Sequence, residues 1–474
     1  MNRQQLANPY PEKKRPNVIW YIVDQMRAQA MSHVGDPNVN TPNLDRMMID
    51  GIHFQNACMG FPLCCPARAS MVTSMYPHKS VPGHEFKLDP KLTTIADPFN
   101  EAGYHTAWIG KWHLDGWHEE NGRGGWCITD PEHRGRFKTW IGYENNNSQW
   151  DCWVHGHDEE RTVDHYQLPG HETDALTDLL LEQIDRHQHE NFFHVCSVQP
   201  PHDPYSAPEE YAARHNPADL TLRPNVPSIP KVEESARKNL AGYYALIEQI
   251  DANVGRVMNH LKKLGLMDNT YLMFFSDHGD HMGSHGHTHK MTPYEESIRV
   301  PFMIWGGQRY HYFSQRVSHV SNHVDMAPTT LGLCDIPCPE SFEGFDYGRL
   351  IREKRLSSAE VPEEAYLQSV VPTQHHPSID IPWRGIATRD GWKYVALEGQ
   401  PLMLFNLNED PYEQRNLALH THSRKKRKEM NDRLQVWINK TDDTFKLPEF
   451  DAEGKPCLTE TVTEAFKEKA NWMS

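Results

Sequence analysis

Residues 18–24 read Val-Ile-Trp-Tyr-Ile-Val-Asp, a continuous apolar run that ends on a carboxylate. A run that is apolar at every position is typical of a parallel strand with both faces buried. Similar runs occur at Phe192–Val198, which His202 follows, and at Tyr271–Phe275, which Asp277 follows. We therefore predict an α/β protein built on a large, mixed and mostly parallel sheet flanked by helices.

Ligands of open α/β sheets bind beyond the carboxyl ends of the strands, so we expect the polar residues after these runs to meet in one crevice. Between the second and third runs, apolar residues recur at helical spacing, and Gly265 stands where a C-terminal cap is expected. The apolar residues are Leu240, Tyr244, Ile247, Val254, Val257, Met258 and Leu261. They predict a long amphipathic helix that packs on the sheet.

Two further stretches complete the predicted architecture. Lys111–Glu190 is rich in Trp, His, Gly and Asn with weak periodicity, which indicates irregular excursions over the active-site end of the sheet. Three later runs predict short antiparallel strands: Ile386–Thr388, Trp392–Ala396 and Leu402–Leu407. We expect a catalytic domain over residues 1–369 and a smaller α+β domain, built on an antiparallel sheet, over residues 370–474.

The composition restricts the classes of partner. A net charge of -16, from 48 Lys and Arg against 64 Asp and Glu, disfavours nucleic acid because the surface field repels a polyanion. The nine cysteines lack the paired C-x-x-C spacing of zinc sites, so we expect mostly buried thiols rather than disulfides. They are Cys58, Cys64, Cys65, Cys127, Cys152, Cys196, Cys334, Cys338 and Cys457.

The sequence predicts no interaction with membranes, because its longest apolar runs are far too short to cross a bilayer. Met1–Pro16 is polar, carries Lys13, Lys14 and Arg15, and contains no apolar core of a secretory leader. We expect either a cytoplasmic protein or a periplasmic or secreted protein whose leader has been removed.

The segment Cys64-Cys65-Pro66-Ala67-Arg68 fits the pattern C-x-P-x-R, and Pro66 suits the first position of a helix that we predict to run through Met75. The free N–H groups of a helix N-terminus attract anions, and Arg68 adds a full positive charge one turn later. These surroundings favour a nucleophilic thiol at Cys64. The alternative is a buried thiol before a helix, since the pattern has only three fixed positions.

Two strand-end pairs, Asp24-Gln25 and Asp277-His278, predict a cation site. Oxygen-dominated ligation favours a hard cation over zinc, and the flexible coordination shell of calcium accepts this mixed set better than that of magnesium. The alternative is that each pair forms a helix cap or a surface group.

The other candidate residues are cationic: Lys111 and His113 in the segment Lys111-Trp112-His113, then His202 and Lys290. Hydrolysis of an anionic ester requires charge compensation on its oxygens and a proton for the leaving alcohol, which Lys and His provide. The alternative is that these are surface lysines and packing histidines. The histidines between His281 and His289 match no standard zinc spacing.

In their order along the chain, these segments resemble the formylglycine-dependent sulfatases of the alkaline phosphatase superfamily, from about Asn17 to the C-terminal strands. The matching segments are Asn17-Val18 to Asp24-Gln25, Thr41–Asp45, Cys64-x-Pro66-x-Arg68, Gly110–His113, Pro201-His202, Asp277–Gly279, Gly283-x-His285-Gly286, Lys290, Tyr294-Glu295 and Arg299–Pro301. Later landmarks are His323–Thr329, Leu404–Leu407 and Asp410-Pro411-x-Glu413.

The resemblance implies an alkaline-phosphatase-like fold and a sulfatase in which a maturation enzyme oxidises Cys64 to formylglycine. It also implies one calcium ion per chain. The implied calcium ligands are Asp24, Gln25, Asp277, His278 and the modified Cys64.

The resemblance further implies a role for each cationic residue. Arg68 and Lys111 hold the nucleophile and the sulfate oxygens. One hydroxyl of the hydrated aldehyde attacks sulfur, and His202 or Lys290 protonates the leaving alcohol. His113 takes the proton of the second hydroxyl, which expels sulfate and restores the aldehyde.

Two departures keep other functions open. Many family members carry Asp-Asp and Asp-Asn at the metal pairs, whereas Gln25 and His278 also resemble the superfamily's phosphonate monoester and phosphodiester hydrolases. The segment Lys111-Trp112-His113 belongs more to the sulfatase branch, which favours a sulfate monoester as substrate. A function of another class is binding of sulfated glycans with Cys64 unmodified.

The resemblance favours a sulfated carbohydrate as substrate, because most of the family acts on carbohydrate. Candidates for sugar contacts are the Trp, His and Tyr residues between Trp112 and Tyr166, together with His375, His376 and Arg384.

Overall fold

The computed structural model describes residues 15–118, 123–159, 161–307, 314–356, 359–373 and 381–457. Within these ranges, fourteen strands form a ten-stranded and a four-stranded sheet. The strands are β1 Asn17–Asp24, β2 Ile52–Cys58, β3 His105–Lys111, β4 Thr139–Tyr143, β5 Trp153–Asp158, β6 Arg161–Gln167, β7 Phe192–Pro201, β8 Thr270–Ser276, β9 Phe302–Gly306, β10 Gln315–Asn322, β11 Glu364–Ser369, β12 Trp383–Thr388, β13 Trp392–Leu397 and β14 Gln400–Asn406. The α-helices are α1 Pro42–Asp50, α2 Cys64–Thr73, α3 Ala96–Glu101, α4 Glu172–His187, α5 Glu209–Ala212, α6 Pro230–Lys263, α7 Glu295–Ile298, α8 Met326–Leu333, α9 Tyr347–Glu353 and α10 Arg424–Lys440.

The large sheet has the strand order β10-β2-β9-β8-β1-β7-β3-β4-β5-β6. Strand β1 runs parallel to both of its neighbours, β7 and β8, and β3 runs parallel to β7. Antiparallel pairing joins β9 to its two neighbours and β5 to its two neighbours. The predicted mixed, mostly parallel sheet is confirmed, as are the strands predicted at β1, β7 and β8.

Both faces of β1 are covered, because successive side chains of a strand point to opposite faces. Trp20 and Ile22 pack in a core with side chains of α2, α3, α8 and α9. Tyr21 and Val23 pack in a second core with side chains of α1, α4 and α6. This double coverage is the reason why the strand is apolar at every position.

The predicted amphipathic helix is confirmed as α6, which begins at Pro230 and ends at Lys263, so it is longer than the apolar pattern alone indicated. Its buried face includes Leu240, Ile247 and Leu261. Gly265 follows the helix with a φ of 68°, a left-handed conformation that favours glycine.

The interpretation of Lys111–Glu190 as irregular excursions is wrong for much of that stretch, which contains β4, β5, β6 and α4. Its short strands use polar residues inside the fold. His155 of β5, for example, is 2% exposed and its Nε2 accepts a hydrogen bond from the backbone of Thr129. Such residues hide the apolar periodicity from which a strand is normally predicted.

The three predicted C-terminal strands are confirmed as the antiparallel β12, β13 and β14, and β11 is a fourth strand that sequence analysis missed. One face of this sheet packs with Ile298 of α7 and Val320 of β10. The other face is covered by Met430 and Leu434 of α10.

All nine cysteines are free thiols, and seven of them are buried, which confirms the expectation of mostly buried thiols. The exceptions are the exposed Cys338 and Cys457. Among the described helices, none combines the length and the apolar character that a membrane span requires.

Candidate active site

Four neighbouring parallel strands end at the same edge of the large sheet and place polar residues there. Asp24 ends β1 and Lys111 ends β3, while Asp277 follows β8 and His202 follows β7. Asp24, Lys111 and Asp277 are 0% exposed, and His202 is 9% exposed. The four residues therefore converge on one buried crevice.

Helix α2 begins at Cys64 and ends at Thr73, so the prediction that it starts at Pro66 and runs through Met75 is wrong at both ends. The chain is extended up to Leu63, and the helix ends where Ser74 takes a left-handed conformation with a φ of 53°. Cys64 therefore lies in the first turn of the helix rather than before it.

The sulfur of Cys64 lies at the centre of the crevice. It is 3.1 Å from Nε2 of His278, 3.4 Å from Nζ of Lys290 and 3.7 Å from Oδ1 of Asp24. Cys64 is only 2% exposed. The helix start, two strand ends and the segment between β8 and α7 thus deliver a thiol, a carboxylate, an imidazole and an ammonium to one point.

Arg68 joins the strand ends through its guanidinium. Nε and Nη2 donate to Asp277 Oδ2 at 2.9 Å and to Asp24 Oδ2 at 3.1 Å. Nη1 donates to Ser197 Oγ at 2.8 Å and to the carbonyl oxygen of Lys111 at 3.0 Å. Nζ of Lys111 lies 2.8 Å from the same Asp24 oxygen. Two cations thus fix the outer oxygens of both carboxylates.

The inner carboxylate oxygens face an imidazole nitrogen in an arrangement that a cation would bridge. His278 Nδ1 donates to the carbonyl oxygen of Gly279 at 3.0 Å, so Nε2 of the neutral ring carries a lone pair. Nε2 lies 3.5 Å from Asp24 Oδ1 and 3.7 Å from Asp277 Oδ1. With Cys64, these residues offer donor atoms within 4.8 Å of one another. Acceptors this close repel one another, and this donor set fits a divalent cation.

The pKa values of this group follow from burial and from the neighbouring charges. Burial disfavours the ionised form of Asp24, but the charges of Lys111 and Arg68 hold its pKa well below its usual range. Burial and the charge of Asp24 raise the pKa of Asp277. Burial lowers the pKa of His278, which keeps its ring neutral and able to bind a cation.

The amide of Gln25 is fixed at both ends. Its Oε1 accepts a hydrogen bond from Nζ of Lys290 at 2.7 Å, and its Nε2 donates to Asp280 Oδ2 at 2.5 Å. The hydroxyl of Tyr205 donates to the same Asp280 oxygen at 2.9 Å. Sequence analysis missed Asp280 and Tyr205, and the only signal for Asp280 is its place three residues after Asp277.

Lys290 and His202 form a hydrogen-bonded pair, with Nζ of Lys290 2.8 Å from Nε2 of His202. His202 Nδ1 donates to the carbonyl oxygen of Asp203 at 2.7 Å, so Nε2 is the accepting atom. Burial and Lys290 lower the pKa of His202 to about 3. Burial opposes the charge of Lys290, but Cys64 and Asp24 raise its pKa. Lys290 is therefore the member of the pair that carries the proton.

His113 follows β3 with a φ of 60° and belongs to an adjoining cluster with Cys65 and His84. The ring centroids of His84 and His113 are 5.7 Å apart, and the rings are nearly perpendicular. Burial and the charge of Lys111 hold the pKa of His113 well below its usual range. The structure thus places the other candidate residues in one network and His113 beside it.

Burial separates the candidates for sugar contacts. Trp112 and Trp140 are 0% exposed and are unable to stack on a ligand, whereas Trp126 and Trp150 are 61% and 47% exposed. Arg384 is 4% exposed and donates to Asp443, which disfavours its assignment to sugar binding. His375 and His376 lie outside the described residues.

Comparison with protein families gives two matches. Residues 16–336 match the family model described as "Sulfatase". Residues 283–440 match the model described as "N-sulphoglucosamine sulphohydrolase, C-terminal". The first match spans every residue of the crevice.

Individual proteins show the same similarity. The chain is 32% identical to an ulvan-active sulfatase of Formosa agariphila over 450 residues, which cover 93% of this chain and 84% of the relative. It is 25% identical to an N-acetylglucosamine-6-O-sulfatase of Bacteroides thetaiotaomicron over 510 residues, which cover 90% and 87%. The crystal structure of a sulfatase-like protein from Bacteroides fragilis superposes with a TM-score of 0.81 at 28% identity and covers 92% of this chain and 98% of that one.

Proposed function

Because this chain belongs to the sulfatase family and is a sulfuric ester hydrolase, we propose that it removes sulfate from a sulfated carbohydrate, using formylglycine derived from Cys64 and a bound calcium ion. The observation that carries the proposal is the position of the Cys64 sulfur, within 3.1–3.7 Å of His278, Lys290 and Asp24. In the mature enzyme that we propose, formylglycine oxygens replace this sulfur.

The names of two matches support a carbohydrate substrate, since one relative is an N-acetylglucosamine-6-O-sulfatase and the C-terminal family model is that of an N-sulphoglucosamine sulphohydrolase. An exposed aromatic side chain lies near the crevice. Gln149 donates to the carbonyl oxygen of His202 at 2.9 Å, and Nε1 of the adjacent Trp150 donates to the carbonyl oxygen of Ser206 at 3.1 Å. Trp150 is our candidate for stacking on a sugar ring.

The proposed formylglycine and calcium ion provide a nucleophile and a positive charge that the unmodified side chains lack. Hydrated formylglycine supplies two hydroxyls on one carbon, one to attack sulfur and one whose deprotonation releases sulfate. Asp24, Gln25, Asp277, His278 and residue 64 would hold the calcium ion, whose positive charge would favour the ionised nucleophile. A maturation enzyme that produces formylglycine is therefore a required partner.

The other residues manage charge and protons. Arg68 pairs with Asp24 and Asp277, and Lys111 pairs with Asp24, so the further positive charge of Lys290 and of the bound ion favours an anionic ester in the crevice. Lys290 carries the proton of its pair with His202, so this pair is the proton source for the leaving alcohol. His113 is neutral and is the candidate base for the second hydroxyl.

Mass spectrometry of the peptide from Phe61 to Arg68 tests the modification. In protein from a host that contains the maturation enzyme, we expect the mass of this peptide to be lower by the conversion of Cys64. A fully retained thiol in such protein would contradict the proposed nucleophile, and retained binding of sulfated glycans without turnover would favour a binding protein.

Turnover measurements test the substrate. We expect release of sulfate from sulfated mono- and disaccharides, with a higher kcat/KM than for an aryl phosphonate. A higher efficiency on the phosphonate would identify the chain as a phosphonate monoester hydrolase of the same superfamily. Chelation followed by titration with calcium or magnesium identifies the ion that restores activity.

A further inference from the structure

A second group of metal-binding side chains lies beside the proposed calcium site. It consists of the thiol of Cys65 and the imidazoles of His84 and His113, whose donor atoms lie within 4.8 Å of one another. Cys65 is 1% exposed and His113 is 3% exposed, while the His84 side chain is 12% exposed. The residues come from α2, from the loop before α3 and from the end of β3, so the fold brings them together.

A buried polar atom in this group points to a ligand. Nδ1 of His113 has no hydrogen-bond partner among the described residues, although it is shielded from solvent. Buried polar atoms nearly always have a partner, which can be a bound ion. A cation bound between the three side chains would supply it.

The surroundings of His84 match those of a metal ligand. Oε1 of Glu85 lies 3.4 Å from Nε2 of His84, and a carboxylate on the outer nitrogen of a ligating histidine fixes its tautomer and orientation. Two imidazoles and one thiolate favour zinc or a similar borderline cation, whereas the oxygen-rich set around Asp24 and Asp277 favours a hard one. The two neighbouring sites thus differ in the class of cation that they select.

We propose that Cys65, His84 and His113 form a second cation site that binds zinc and inhibits the enzyme. As the bond from the metal to sulfur forms, the Cys65 thiol loses its proton to solvent, and no electron transfer occurs. The metal binds the imidazole of His113, which is then unable to accept the proton of the second hydroxyl. The inhibition rests on the proposed function of His113, but the binding of zinc does not.

Titration with cobalt tests binding without any need for catalysis. The protein is the full chain with Cys64→Ala, which removes the thiol at the centre of the crevice. We expect one cobalt ion per chain with the absorption band of a cobalt–thiolate bond, and competition by zinc. The band should disappear in the additional variant Cys65→Ser and remain in Cys334→Ser, a matched change of another buried thiol.

Absence of the band in the starting protein, or its persistence after Cys65→Ser, would overturn the site. The variant His84→Gln provides an independent check, because this side chain is partly exposed and the change should leave the fold intact. It should weaken cobalt binding by roughly tenfold or more, as expected for loss of a ligand.

Zinc inhibition of the mature enzyme tests the consequence. Position 65 is a free position of the pattern Cys64-x-Pro66-x-Arg68, so Cys65→Ser should still be converted to formylglycine and keep its turnover. We expect its inhibition constant for zinc to rise by about tenfold or more. Equal inhibition of both proteins would assign the effect to the calcium site. If neither protein turns over, the proposed function fails, while the cobalt titration still decides the metal site.

Discussion

The ammonium of Lys290 contacts three groups of the crevice at once, Gln25, Cys64 and His202. Lys290→Ala should reduce turnover by on the order of a hundredfold or more, since it removes both positive charge and a proton donor. Steady-state kinetics with a thermal unfolding curve measures this, and Lys263→Ala, an exposed lysine at the end of α6, is the control. Turnover close to that of the unchanged enzyme would exclude Lys290 from the reaction.

Asp280 is predicted to act through Gln25, whose amide oxygen it directs towards the cation site. Asp280→Asn removes the charged acceptor of that amide and should lower calcium affinity by roughly 10- to 100-fold. Calorimetric titration of chelator-treated protein measures the affinity without turnover. Tyr205→Phe, which leaves the bond between Asp280 and Gln25 intact, should have a smaller effect. Equal affinities for all three proteins would show that Gln25 is not oriented in this way.

Single residues were predictable where a reactive or ligating side chain stands at a position that a sequence pattern defines. Asp24 and Asp277 follow buried strands, and Cys64 lies in a pattern with fixed spacing, so sequence alone pointed to them. Asp280 and Tyr205 were not predictable, because no local pattern says which carboxylate of a loop turns inward. The two residues lie 255 and 180 positions away in the sequence from Gln25, the residue that they contact.

Among the elements, continuous apolar composition made β1, β7 and β8 predictable, because strands buried on both faces have no polar positions. β4, β5 and β6 were missed for the opposite reason. They form one end of the sheet, where polar residues interrupt the patterns of β5 and the largely exposed or half-buried β6, while β4 is buried but only five residues long. β11 is only six residues long and contains Glu364 and Gln368.

The contact between α7 and the four-stranded sheet contains a buried charge cluster. Lys393 of β13 contacts Glu413 and lies 3.1 Å from Glu295 of α7, which also accepts a hydrogen bond from Arg299. Lys393→Met leaves these carboxylates with less positive charge and should lower the free energy of unfolding by about 3–5 kcal/mol. Denaturant unfolding measures this. The double variant with Glu413→Gln should recover part of the loss, and no recovery would contradict pairing as the cause.

For the molecule as a whole, buried histidines should limit stability in acid. Burial lowers the pKa of His323 from 6.5 to about 3, so below pH 6.5 the unfolded chain takes up a proton that the folded chain excludes. This histidine alone should reduce the free energy of unfolding by roughly 2 kcal/mol between pH 7 and pH 5. Other buried histidines, such as His105 and His281, act in the same direction.

The variant His323→Asn tests this pH dependence, because asparagine offers an acceptor to the backbone N–H of Gly60 in place of Nδ1. Its free energy of unfolding should fall less between pH 7 and pH 5 than that of the unchanged protein. His422→Asn, a change of an exposed histidine, should leave the slope as it is. An unchanged slope for His323→Asn would show that this ring is protonated in the folded state.

Because β1 pairs with both β7 and β8, the sheet around the crevice is completed only late during synthesis. β1 leaves the ribosome early, but its second neighbour is complete only when Ser276 has emerged. Until then the crevice cannot close, and the proposed maturation enzyme would have access to Cys64. Once the crevice has closed, the thiol is 2% exposed and would be out of its reach. Chains that fold first should therefore keep their sulfur when the maturation enzyme is added, whereas denatured chains should still be converted.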